Sequence, residues 1–542
     1  MSKRQLTLLG VLIILLPAIF LQGCMFFTPQ LDEPTEPEED VLFQPYLPEE
    51  PESVRPMVPG RFTLRYDPNS SLNPLTTLNR DNILLGSLLY ETLFVLDPNL
   101  LPEPVLVSNW SSEDNMLFEF ELKSDIAMSN GTFLTAQDAI YSVRQATRIG
   151  RFSNRLSSIA SVQAVDELTF TIQLNAPNSR FVHLLDIPVI KSGTSDQRVP
   201  PGTGPFRFLS PDSMHLIAFF EHRDFADLPV SLIRLQECAD TELTELFDTG
   251  ALSLLWDDPH DAFEVRLNRL RETRYFETTV LQFLGFNANH IALSDPDVRR
   301  AIGISIDRQY IVENIMRPGL TLAAPLPLSP AFHLYMPQWE NRHLAPLEEM
   351  ARLLRRAGLN VTFEYTEGPF LELSDGLGGY TPFSIDFIVN IENTHKVQVA
   401  HHIANTLRRN GLNVVVRELP WERFNTALQN RTFDMFLGET QLGADFDLSP
   451  LLLPGPLNFG GTASNYFAHF IDDFLTARTD SEIIWAAERL IEEIEVYAPF
   501  APILYKRHAI YSPIGVITGA QPSQSSVFRN ITDWSINLMM LN

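Results

Sequence analysis

Leu354-Arg355-Arg356-Ala357-Gly358-Leu359-Asn360-Val361 returns nearly letter for letter as Leu407-Arg408-Arg409-Asn410-Gly411-Leu412-Asn413-Val414. Each copy reads as the end of a helix and the start of a strand. Paired arginines complement the negative pole of a helix, a glycine suits the left-handed cap, and a β-branched run (Val361 to Tyr365, Val414 to Val416) follows. Two copies are too few for a solenoid; they predict an α/β lobe whose sheet is covered by helices. Further along, Phe433-Asp434-Met435-Phe436-Leu437 reads as a buried strand, and the chain leaves it through Gly438-Glu439-Thr440-Gln441-Leu442-Gly443-Ala444-Asp445-Phe446-Asp447. Ligands of open α/β sheets sit beyond the carboxyl ends of the strands, so this acidic exit is a candidate site. The same residues also read as a solvated loop. Upstream, Asp295 is placed to cap a helix with Pro296 at its first position and Val298, Ala301 and Ile302 on its inner stripe.

The first half has a different texture. Short apolar runs alternate with turn signals from Arg61 to Leu106, among them Asp67-Pro68-Asn69 and Asp97-Pro98-Asn99. Phe118 to Leu122 and Leu168 to Leu174 alternate with period two, as half-buried strands do. Between them Thr135 is the expected N-cap of a helix to Arg148, with Asp138 at the reciprocal position and Ala139, Tyr141, Val143 and Ala146 among its apolar residues. These elements predict a small mixed α+β subdomain.

The amino terminus opens with Lys3 and Arg4, continues through an apolar run from Leu6 to Phe20, and reaches Leu21-Gln22-Gly23-Cys24. The run is short for a membrane span, and a small residue directly before a cysteine suits peptidase cleavage. The pattern resembles a bacterial lipoprotein signal, 1–23, with Cys24 as the lipidated residue. An ordinary secretory signal or a plain anchor are the alternatives, and all three place the folded part outside the cytoplasm. Residues 24–59 are rich in proline, aspartate and glutamate, a composition that stays extended. At polyproline rise such a tether spans on the order of 100 Å.

The chain has 542 residues, 45% of them hydrophobic, which suits at least two lobes. Its formal charge of -27 makes nucleic acid and anionic lipid headgroups poor partners. With Cys24 lipidated only Cys238 remains, so no internal disulfide is expected. No G-x-S-x-G, H-E-x-x-H, G-x-x-x-x-G-K-S/T or paired C-x-x-C pattern occurs, which lowers the prior for an enzyme, and no catalytic group, metal site or cofactor is expected. His401-His402, adjacent on a helix, point apart and read as exposed surface.

Pro104-Val105-Leu106-Val107-Ser108-Asn109-Trp110 resembles the P-x-L-A-x-x-W segment of the family 5 extracellular solute-binding proteins, which serve ABC importers of oligopeptides, dipeptides and nickel. The resemblance continues in order through Ser129 to Asp138, Gly202-Thr203-Gly204-Pro205-Phe206, Asp295 to Ile302, Ile306-Asp307-Arg308, Phe433 to Met435, Ala444-Asp445-Phe446, Asn465-Tyr466 and Ala498 to Ile503. It implies an α/β bilobal periplasmic-binding-protein-like fold of type II, cluster C, with an extra subdomain in the first lobe. The implied division is a first lobe over 60–285 with the insertion at about 98–200, a second lobe over 286–504, and a return to the first over 505–542. Gly202 and Gly204 read as suppliers of turn angles, Trp110 as core, and Asp295, Arg299, Asp307 and Arg308 as local caps and pairs.

The resemblance further implies an oligopeptide held in a hinged cleft and passed to a permease and ATPase, by a monomer lipid-anchored outside the cytoplasm. In peptide-binding members the aspartate matching Asp445 meets the ligand's α-ammonium. The strand-like segment beside it, with Thr440, Leu442, Gly443 and Ala444, can hold a ligand backbone, and Tyr466 reads equally as facing the cleft or as core packing. Where the family has Gly-Trp before the Ala-Asp pair, this chain has Gln441-Leu442-Gly443, which removes an aromatic wall. A carboxylate anchor is not identified; Arg417, Arg423 and His395 qualify by chemistry only. A metal chelate, a cationic small molecule or an oligosaccharide in the same architecture, an exported enzyme, and a peptide-sensing lipoprotein without transport stay open.

Overall fold

Two long strands, Arg271–Phe286 and Phe500–Pro513, pair antiparallel along most of their length in the computed structural model. The described residues are 62–541 without 149, 211–212, 263–264, 317–318, 320, 344–346, 361–370 and 375–379. The signal segment, Cys24, the tether and the expected run from Val361 to Tyr365 lie outside them. Around the strand pair a mixed sheet is ordered Leu255–Asp257, Phe500–Pro513, Arg271–Phe286, Met435–Gln441, Ile385–Asn390, Val414–Leu419, with Thr321–Ala323 added on Phe500–Pro513.

The long strands pass from one hydrophobic core into others. Phe276 and Ile510 are buried with the first-half residues Phe62, Leu85, Phe120 and Phe170. Farther along, Leu281 and Phe283 join one second-half core and Leu284 and Phe286 another. The crossover coincides with a break in pairing, because the register slips between Glu277 and Leu281 and Thr278 Oγ1 donates to the Lys506 carbonyl at 2.6 Å.

In the second half the sheet separates two apolar layers. Phe283, Ile388 and Phe436 face the core built with helices Ala468–Thr476 and Asp480–Tyr497. Their neighbours Leu284, Phe387, Val389, Met435 and Leu437 face the core built with Pro296–Ile304, Leu347–Arg356 and Thr394–Arg409. A strand buried on both faces needs apolar side chains at successive positions, which explains the unbroken run seen at Met435 to Leu437.

Most local expectations hold. Thr135 Oγ1 and N both donate to Asp138 Oδ2, at 2.9 and 3.0 Å, at the start of helix Ala136–Arg148. Leu117–Leu122 and Thr169–Leu174 alternate in burial and pair with each other. Asp295 accepts from Asp297 N at 2.8 Å with Pro296 in the first turn. In the duplicated segment Gly358 and Gly411 have φ of 81° and 88°, the left-handed cap. Leu359 and Leu412 bury in the same core, yet the copies diverge after it: Leu359–Asn360 enters a separate three-stranded antiparallel sheet, whereas Val414–Leu419 runs parallel to Ile385–Asn390 in the main one.

Four expectations are corrected. Trp110 is not core but 38% exposed, because its strand Val107–Ser111 lies at a sheet edge and the indole meets Phe94 edge-on. Gly202 and Gly204 do not have positive φ; a Cβ there would lie 2.4 Å from the carbonyls of Leu89 and Leu88, so close approach to the end of helix Arg80–Leu89 requires them. The exit after Leu437 is not immediately loop, since the strand continues to Gln441 by pairing with the long Arg271–Phe286. His401 and His402 are half-buried, one bonded to Glu418 at 2.8 Å and the other stacked on Tyr310, so they do diverge as adjacent helix residues must.

Candidate functional site

A cavity of about 1480 Å³ opens between residues of the first core's elements and the segment 440–457. It exceeds the roughly 300–1,000 Å³ of ordinary small-molecule sites. A smaller crevice, of about 510 Å³, sits on second-half helices; its Arg299 is committed to the carbonyls of Leu293, Ser294, Tyr497 and Ala498. The larger one is the better candidate, being walled by both halves.

The strand Met435–Gln441 delivers the chain to this cavity. Its pairing with Ile385–Asn390 is confined to Met435 and Phe436, whereas Arg271–Phe286 accompanies it to Gln441. Past Phe436 the strand therefore has a strand neighbour on one side only. Thr440, Gln441, Leu442 and Gly443 then line the cavity, and Thr279 holds Leu442 through its carbonyl (3.0 Å) and hydroxyl (2.7 Å). An extended ligand can be added to such an edge through backbone hydrogen bonds.

Asp445 stands next on the wall, 2% exposed. Asn178 Nδ2 donates to its Oδ2 at 2.9 Å, and Asp447 N approaches Oδ1 at 3.3 Å. Each carboxylate oxygen accepts two bonds, so capacity remains for an incoming donor. Burial, and then the neighbouring Asp447, push the carboxyl up to about 6 against the pull of Asn178 and Arg180. This carboxylate lacks enough positive charge around it. A cation or hydrogen-bond donor brought to its free lone pairs would offset that cost.

The segment Asn178 to Arg180 bridges the two halves here. Arg180 Nε donates to the Asp445 carbonyl at 3.1 Å and Nη1 to that of Phe474 at 3.0 Å, with the guanidinium 4.0 Å over the Phe474 ring. Ser179 N and Oγ reach the Leu475 and Ala477 carbonyls at 2.8 and 2.6 Å. The adjoining Phe181 is buried in the first core. No local pattern around Asn178 marks this role; the residue is recruited by tertiary approach.

The residues picked from sequence separate into groups. Thr440, Leu442, Gly443 and Asp445 come together on the wall. Gly443 has a specific reason, because a Cβ there would meet Asp445 Oδ1 at 2.3 Å. Ala444 is buried behind the wall and does not line it. Tyr466 also lies off the wall: it stacks on Tyr497 and donates to Glu493 Oε2 at 2.7 Å. Arg417, which pairs with Asp386 through Nε at 2.6 Å, does not line the cavity, nor do Arg423 and His395.

Glu439, close to Asp445 in sequence, belongs to another network. Lys396 and Lys506 approach it at 3.3 and 3.5 Å, and Lys506, 2% exposed, also pairs with Asp258 at 2.5 Å. Asp258 is held down at about 2: burial opposes this, and Lys506 and His508 outweigh it. The cluster ties Asp258, Phe500–Pro513 and Met435–Gln441 together beside the register break. Among the described residues no group of His, Cys, Asp and Glu is arranged to hold a metal ion, and no helix is long and apolar enough to cross a membrane.

Known proteins give this geometry a context. A family model described as bacterial extracellular solute-binding proteins, family 5 Middle, matches residues 102–455. The periplasmic oligopeptide-binding protein OppA of Salmonella typhimurium is 22% identical over 503 residues, 82% of this chain and 87% of that one. The oligopeptide-binding protein AppA of Bacillus subtilis, solved with a nonapeptide, superimposes with a TM-score of 0.63 at 16% identity over 89% of this chain and all of its own (100%). NikA of Brucella suis, solved with Fe(III)-EDTA, gives 0.67 at 18% identity over 88% and 100%. The structural likenesses establish the bilobal α/β periplasmic-binding architecture expected from the sequence; they leave the ligand open.

Proposed function

The chain belongs to the bacterial extracellular solute-binding proteins of family 5, and from that premise we propose that it captures oligopeptides by their free amino end and delivers them to an ABC importer. As a member of this family it is a binding protein and not an enzyme. One observation supports the peptide reading above others: Asp445, a buried carboxylate short of positive charge, sits at the end of a half-paired strand edge on the wall of a cavity too large for most small molecules. An α-ammonium leaving water needs such a partner, since an unpaired buried charge costs several kcal/mol. The edge from Thr440 to Gly443 holds an extended backbone while side chains occupy the remaining volume, which yields broad sequence tolerance.

In this reading the crossover between Glu277 and Leu281 with the facing Tyr505 and Lys506 is the hinge, so the first lobe ends there, a few residues short of the expected 285, and resumes at about 505–542, with the second lobe between. Ligand favours the closed state because only that state contacts it from both sides. Cys24 anchors the mature monomer by lipid to the outer face of a membrane, the 24–59 tether gives it reach, and a permease and its ATPase receive the peptide. Native mass spectrometry of the mature chain, freshly purified and then mixed with a defined peptide library, tests the reading. Retained peptides with free amino termini are expected. Retention of N-acetylated peptides in equal amount would count against it.

A further inference from the structure

The cavity wall carries six lysine and arginine side chains, Arg80, Lys123, Arg151, Arg155, Arg223 and Arg529. Most of their charge is already answered. Arg80 pairs with Asp261 at 2.5 Å, Arg529 grips both oxygens of Glu103, and Arg223 does the same to Glu91. Lys123 has no ion pair among the described residues, and burial and then Arg223 lower its pKa against the pull of Glu91 and Asp224.

Arg151 is unpaired as well. Its guanidinium makes no hydrogen bond or ion pair with any described residue and is open to the cavity. It lies 4.7 Å from the centroid of the Phe152 ring, and Arg155 lies 4.9 Å from the same ring. A single carboxylate serves the two: Asp186 pairs with Arg155 and also accepts from Ser525 Oγ at 2.9 Å. Two guanidiniums against one carboxylate leave an excess positive charge, fixed in place by an aromatic plate. Around Asp445 the balance is inverted, because Asp445 and Asp447 share Arg180. The cavity therefore carries an unanswered charge of each sign on separate parts of its wall.

Building on the peptide reading of this cavity, we propose that Arg151 is the specificity residue that receives the ligand's carboxylate, so that the site selects zwitterionic peptides with both termini free. A guanidinium presents a planar fork that matches a carboxylate, and Ser153, Asn154 and Ser157 beside it on the wall offer further donors.

Isothermal titration of the mature wild type, Arg151→Gln and Arg151→Lys with tri-, tetra- and penta-alanine tests this, each peptide as free acid, C-terminal amide and N-acetyl derivative. For the wild type, amidation should weaken binding roughly 10- to 100-fold, the worth of a charged hydrogen bond. Arg151→Gln should lose the free acid's advantage while binding the amide as the wild type does, and Arg151→Lys should recover part of that advantage. N-acetylation should weaken all three proteins alike, since Asp445 is intact in each. An undiminished acid-over-amide preference in Arg151→Gln overturns the assignment and leaves the peptide reading standing, as does a wild type indifferent to amidation. A wild type that binds none of the peptides overturns the peptide reading and this proposal with it.

Discussion

Replacing Asp445 with asparagine should make the ligand-free protein more stable while abolishing its affinity for peptides. Burial and Asp447 raise the carboxyl from 3.8 to about 6. A shift of that size corresponds to about 3 kcal/mol of penalty for holding the charged form at neutral pH. The sign follows from proton uptake: between the unfolded value near 4 and the folded value near 6 the native state holds more protons, so stability falls as pH rises through that window and stays low above it. Asparagine keeps the shape and an oxygen for Asn178 Nδ2 but never ionises. With roughly 2 cal/mol/K of unfolding entropy per residue over about 480 residues, 3 kcal/mol becomes a rise in Tm of about 3 °C. Thermal melts of ligand-stripped wild type and Asp445→Asn at pH 7.5 and pH 4 measure it. The gain should appear at pH 7.5 and vanish at pH 4, and titration at pH 7.5 should show peptide binding weakened by at least about 100-fold. A variant that melts below the wild type at pH 7.5, or that keeps its gain at pH 4, would refute the claim that Asp445 is a carboxylate stored without its cation.

Peptide affinity should drop as pH falls through about 6, by up to about tenfold per unit, because the ammonium binds only the ionised Asp445; calorimetry across pH 5 to 8 reads this directly. Gly443→Ala should weaken the same peptides without a large change in Tm, since the added methyl displaces the Asp445 carboxylate that now lies 2.3 Å from its position. Lys506→Met should lower stability by about 3–5 kcal/mol in denaturant titrations at pH 7, by leaving Asp258 buried without its cation. That loss should begin to shrink above pH 4, because Asp258 without Lys506 is raised by burial and protonates there in the variant, and should shrink further toward pH 2 as the wild-type Asp258 takes up its own proton.

Local pattern carried much of the fold. The alternation at Phe118 to Leu122, the Thr135 and Asp138 reciprocity and the Gly358 and Gly411 caps are each decided within a few residues, where steric and hydrogen-bond rules act. Properties that depend on distant neighbours were not legible. Trp110 looks like core because tryptophan is large and apolar, and only the sheet order reveals that its strand is an edge. Gly202 and Gly204 look like turn formers, whereas their need is for the space beside Leu88 and Leu89. At the site, Asp445 and its strand were visible because the chain runs through them in order. Asn178 and Arg151, on the cavity wall, and Arg180, on the Asp445 carbonyl, were not, since tertiary approach and no local motif brings them there.

The most direct test is a crystal structure of the mature chain grown with a saturating free-acid peptide that it binds. The account predicts an amino nitrogen at about 2.8 Å from the Asp445 carboxylate, with the peptide backbone alongside Thr440 to Gly443 and both halves closed over it. A peptide bound elsewhere, or one whose amino end faces solvent while Asp445 keeps only Asn178, would contradict it.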